Sequence, residues 1–103
     1  MTTQVRVLVQ ERAIITRRRL LSSARREFGR CGYETANLDT IAARAKCSKG
    51  ALYYHFPKGK EALFEAVAEQ ALSKKPQLAA LGSQLLGDLD ARIVVEHVLR
   101  NWD

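Results

Sequence analysis

Residues 37–56 read NLDTIAARAKCSKGALYYHF, and they hold two helix starts eleven positions apart. Asn37 is the first. Its side-chain oxygen can accept from an orphan amide of the first turn, and Asp39 complements the positive end of a helix. The spacing predicts a short helix over Leu38–Ala45, a break at Lys46, Cys47 and Ser48, and a second short helix over Lys49–Phe56, capped by Ser48 and stopped before Pro57. Two short helices joined by three residues can cross steeply only where the touching positions are small. Ala42 supplies the small contact, and Ile41, Cys47, Leu52 and Phe56 form an apolar plug beneath it. Lys49, Gly50, Tyr53, Tyr54 and His55 are left facing outward.

Outward from this stretch the periodicity stays helical. Upstream, Ile14, Leu21, Ala24 and Phe28 recur at helical spacing between Glu11 and Cys31, with Arg17, Arg18, Arg19, Arg25 and Arg26 among them. Gly32 is placed to take the positive φ that closes a helix, and Tyr33–Ala36 is the connection. Downstream, Pro57-Lys58-Gly59 connects to a longer helix from Lys60, with Leu63, Phe64, Val67, Ala68, Ala71 and Leu72 on one side and Pro76 at its end. Leu78, Leu81, Leu85 and Leu89 then repeat, Gly82 and Gly87 weaken the segment, and Ile93–Leu99 is helical again. Val5–Val9 carries a brief strand-like pattern without a pairing partner and is expected to be a frayed leader.

The expected fold class is therefore all-α, a three-helix helix-turn-helix domain followed by a connecting helix and a short, incomplete helical C-terminal segment. Its expected divisions are a flexible leader at 1–10, the helix-turn-helix domain with its connecting helix at 11–75, and the start of a truncated helical domain at 76–103.

Charge separates the two ends of the chain. The formal net charge is +6, but residues 1–60 carry thirteen basic side chains against four acidic ones, whereas residues 61–103 carry four against seven. A basic front half fits a nucleic-acid face, and the mildly acidic back half fits another module. Cys31 and Cys47 cannot build a disulfide framework, no signal-peptide pattern opens the chain, and no apolar run reaches the roughly 20 residues of a membrane span. A reducing cytoplasm is the expected location. Cys31, Cys47, His55 and His97 lack zinc-ligand spacing, and no acid is spaced to complete a Ser48–His55 nucleophile pair, so no metal, cofactor or enzymatic activity is expected.

Gly32-Tyr33, Leu38–Ala45, Ser48-Lys49-Gly50-Ala51-Leu52-Tyr53-Tyr54-His55-Phe56 and Lys60-Glu61-Ala62-Leu63 together resemble the signature of the tetracycline-repressor (TetR) family over about residues 12–73. The resemblance implies a homodimer whose paired third helices enter successive major grooves of an inverted-repeat operator in double-stranded DNA, with repression as the outcome. On that expectation Lys49 reads bases, Tyr54 adds a planar contact and Gly50 permits close approach. Tyr53, His55 and Lys60 position phosphates, Asn37 sits at the leading helix end, and Arg17, Arg18, Arg44 and Lys46 widen the electrostatic footprint. The resemblance also implies a C-terminal domain that dimerises and binds a small-molecule effector, most of whose pocket this chain lacks. Three departures stand out: Lys46 where the family has Gly in the turn, Glu27 where it has an apolar residue, and a connection at Pro57-Lys58-Gly59 one residue longer than the commonest form.

Two other readings fit the same composition. One is a helical protein-interaction module that docks through Leu78, Leu81, Leu85 and Val98. The other is non-specific duplex coating, with a steep salt dependence and no preferred site.

Overall fold

The computed structural model describes residues 2–77, 80 and 91–102, and the expected leucine repeat at Leu78, Leu81, Leu85 and Leu89, with Gly82 and Gly87, lies outside them. Among the described residues the chain forms five helices and no strand: α1 Thr2–Thr35, α2 Leu38–Arg44, α3 Lys49–His55, α4 Lys60–Lys74 and α5 Ala91–Arg100.

The first helix starts at Thr2 rather than at Glu11, running straight through the stretch expected to fray. Nucleating a helix is costly, but extending one already anchored by its core adds a backbone hydrogen bond for each residue fixed. The strand-like Val5–Val9 pattern has no sheet to join, so propagation from Glu11 toward the N-terminus wins. At the other end Gly32 (φ 80°, ψ 172°) breaks the helix. Its positive φ with an extended ψ redirects the chain into one further turn, Tyr33–Thr35, whose end is tied by the Ala36 N–H to the Gly32 carbonyl at 3.2 Å.

Each helix contributes a stripe to one core. Leu20, Leu21, Ala24 and Phe28 come from α1, Ile41, Ala42 and Ala45 from α2 and its end, Leu52 and Phe56 from α3 and its end, Leu63, Val67 and Ala71 from α4, and Val95, Val98 and Leu99 from α5. Phe28, Tyr33 and Phe64 meet as an aromatic trio, with ring centroids 5.1–5.9 Å apart. Two residues expected on core faces are exposed. Ile14 precedes Leu20, the first core residue, by more than a turn, and Leu72 is rotated about 100° from the Leu63–Val67–Ala71 stripe that α4 buries. Val98, expected to be available to a partner protein, is buried because α5 turns its apolar face onto α1 and α4.

The contact between α1 and α5 is backbone-close. A Cβ on Gly29 would sit 2.8 Å from the Leu99 carbonyl oxygen, so only glycine lets the two helices approach this far. A carboxylate of the same helix, Glu96, accepts from the Tyr33 amide at 3.0 Å, satisfying one of the N–H groups stranded by the Gly32 break.

Candidate nucleic-acid interface

The helix pair is fixed end by end. Asn37 Oδ1 accepts from the amides of Asp39 (2.7 Å) and Thr40 (3.2 Å), and Ser48 Oγ accepts from that of Ala51 (3.0 Å), so both expected N-caps are in place. At the end of α2 the Cys47 N–H reaches back to the Ala42 carbonyl and the Lys46 N–H to the Ala43 carbonyl, each at 3.1 Å. This is the Schellman pattern, and it puts Lys46 in the left-handed region with φ 58°. The side chain where glycine was expected is therefore tolerated with strain in the turn, and it stays exposed.

The outer face of α3 carries few contacts. Tyr54 is 79% exposed and meets the edge of the His55 ring at 5.3 Å, whereas the ring of Tyr53, 42% exposed, lies against Gly59. Lys49 is exposed and paired with Asp39 at 3.1 Å, a bridge between the first turns of α2 and α3. Gly50 offers open space beyond Ser48 Oγ.

The flanking residues divide. Arg17 lays its guanidinium over the Phe56 ring at 4.6 Å and lines, with His55, Pro57 and Lys58, an open cleft of about 370 Å³ at the end of α3. The structure thus brings Arg17 and His55 together. Arg18 is exposed and faces a different concavity, with Arg25, Lys74 and Trp102. Lys60 is half-buried: its ammonium donates to the Glu34 carbonyl at 3.2 Å and lies over the Tyr33 ring, closing the last turn of α1.

Sequence reasoning missed the role of Glu27. It is buried completely, and its carboxylate accepts from Arg30 Nε (3.1 Å), Arg30 Nη2 (2.9 Å) and the Asn37 amide (3.1 Å), with Arg44 Nη1 at 3.8 Å. Burial pushes the carboxyl pKa up, but the Arg30 hydrogen bond, the Asn37 amide and the two guanidinium charges together outweigh it and hold the group below its ordinary value. One side chain of α1 thereby fixes both ends of α2, through Asn37 at its start and Arg44 in its last turn. The readable signal was an acid at a core register among the arginines of α1, followed by Arg30 at the next turn. Arg44, expected as a footprint residue, is partly committed to this brace. Nearby, burial alone raises the Cys47 thiol, which disfavours its reactive thiolate. Among the described residues no group of three His, Cys, Asp or Glu side chains could hold a metal ion.

Two capped seven-residue helices joined by a left-handed turn, with the second presenting a lightly contacted face, are a helix-turn-helix module of the kind that docks on duplex DNA. The family described as "Bacterial regulatory proteins, tetR family" matches residues 20–67, which hold the core half of α1, the helix pair and the first half of α4. It is 42% identical over 64 residues to the A-factor receptor protein of Streptomyces griseus, covering 62% of this chain and 23% of that protein. Over 55 residues it is 47% identical to the HTH-type transcriptional regulator LmrA of Bacillus subtilis, covering 52% and 29%. An HTH-type transcriptional repressor of Mycobacterium tuberculosis is 34% identical over 64 residues, covering 62% and 34%. The chain spans about a third or less of the length of these relatives. No solved structure matches it. Among the described residues no helix is long and apolar enough to cross a membrane.

Proposed function

We propose that this chain is the operator-reading end of a cytoplasmic transcriptional repressor that binds an inverted repeat as a homodimer. The observation that carries the reading is the outer edge of α3, where Lys49, Gly50 and Tyr54 stand exposed on a helix pair whose own polar groups are already satisfied. A side chain reads a base edge only if it reaches into the groove without leaving a buried partner behind, and Lys49 leaves only a surface carboxylate, Asp39. Lys49 and Tyr54 are assigned to base readout. Phosphate positioning falls to Tyr53, His55, Asn37 and Lys46, with Arg17 and Arg18 beside them, while Lys60 and Arg44 contribute charge from braced positions.

The repressor outcome, the dimer and a small-molecule effector rest on the resemblance alone, since the chain matches only 23–34% of the length of these relatives. The same reading divides the chain at about Pro76, with residues 11–75 reading DNA. Selection from random duplexes with the purified chain, followed by titration of the winning and a scrambled duplex at two salt concentrations, tests the proposal. A recovered palindrome with a clear preference over the scrambled duplex supports it. Equal affinity for both overturns it in favour of non-specific coating.

A further inference from the structure

A second basic concavity lies away from the reading helix. It has a volume of about 330 Å³ and is lined by Arg19, Ser22, Ser23, Arg26 and Arg44, all from α1 and the last turn of α2, with no residue of α3. Arg19 and Arg26 stand two turns apart on one face of α1 with Ser22 between them. Among the described residues neither guanidinium meets a carboxylate. Glu27, next to Arg26 in the chain, is buried and already holds Arg30 and the Asn37 amide, with Arg44 as a longer contact. Ser23 is spent inward, donating to the Ile41 carbonyl at 2.7 Å, whereas Ser22 is exposed.

Like charges gathered in one hollow repel, and the hollow offers what a tetrahedral oxyanion needs: forked donors on two sides and a hydroxyl between them. We propose that Arg19, Ser22 and Arg26, with Arg44 at the rim, form a phosphate-binding cleft distinct from the α3 edge. The phosphate comes either from a nucleic-acid backbone or from a free phosphate compound. The first source rests on the reading under Proposed function, and the second does not.

The test uses the whole chain and its Arg19→Gln/Arg26→Gln variant, with Arg19→Lys/Arg26→Lys as a charge-preserving companion, each checked for unchanged helical circular dichroism. In one arm inorganic pyrophosphate is titrated calorimetrically at low salt without DNA. In the other a random-sequence duplex is titrated across a salt series. Loss of two backbone contacts lowers the slope of log affinity against log salt by about 1.8 in the Gln variant, and the Lys variant restores most of it. That result assigns the cleft to nucleic acid. Saturable pyrophosphate binding, weakened at least tenfold in the Gln variant while the slope stays unchanged, assigns it to a free phosphate compound. If neither the slope nor pyrophosphate binding differs between wild type and the Gln variant, the cleft is overturned. A wild-type chain that binds no duplex defeats the proposed function, yet leaves the pyrophosphate arm to decide the cleft.

Discussion

The inner and outer sides of the helix pair are built in opposite ways. Beneath α2, Glu27 gathers Arg30, Arg44 and the Asn37 amide, and among the described residues no buried side-chain nitrogen or oxygen lacks a partner. On top of α3, Lys49 has a single surface carboxylate and Tyr54 the edge of one ring. A buried polar group without a partner is costly, so the underside must be saturated for the pair to hold one angle. An exposed group loses little by changing partners, so the upper face can trade its contacts for those of a duplex. Rigidity below is what makes reach above useful.

The underside should break hardest. Glu27→Ala removes the carboxylate and strands the Asn37 amide, and it is expected to cost about 3 kcal/mol in chemical denaturation, with α2 losing amide-exchange protection first. A loss below about 1 kcal/mol would mean that α2 is held by its apolar contacts alone. The same carboxyl predicts the acid limb of stability. Its folded pKa lies below the ordinary value of 4.5, so its contribution is complete above that pH and disappears as pH falls through the lowered folded value. Glu27→Gln should flatten that limb in a pH series of thermal melts.

The outer face should respond in binding and hardly at all in stability. Lys49→Ala is expected to lose about 1–3 kcal/mol of discrimination between a selected and a scrambled duplex, against little for Arg18→Ala, with melting unchanged for both. Matching losses on the two duplexes would move Lys49 from base readout to phosphate contact. Smaller again is the hinge between the faces. Lys46→Gly relieves a left-handed lysine, less the entropy glycine loses on folding, so it should stabilise the chain by about 0.5–1 kcal/mol while slightly weakening duplex affinity at low salt. Smallest is Asp39→Ala: it releases Lys49 from an exposed bridge, and stability should move by no more than about 0.5 kcal/mol.

Much of the helix pair was legible because its signals are local. Asn37 and Ser48 cap through hydrogen bonds spanning two or three residues, and Pro57 ends α3 by a steric rule. The exposure of Lys49, Gly50 and Tyr54 followed once Ile41, Leu52 and Phe56 were placed inside. The ends of the longer helices were harder to read. The start of α1 was set nine residues late, since alternation over Val5–Val9 resembles a strand unless the cost of nucleation is weighed against that of extension. Ile14 and Leu72 carry apolar periodicity, but burial also needs a neighbouring element at that height and angle, and periodicity says nothing about neighbours.

The sequence by itself determined the all-helical class, the two caps and the exposure of Lys49, Gly50, Tyr53 and Tyr54 on α3, because each depends on residues within a turn or two of one another. Only the tertiary structure decided that Glu27 braces α2, that Lys60 is spent on the Glu34 carbonyl, and that Arg19 and Arg26 share a hollow with Arg44. Those outcomes depend on charges brought together across 10 to 26 positions of chain, whose balance of attraction against desolvation is fixed only when the helices pack.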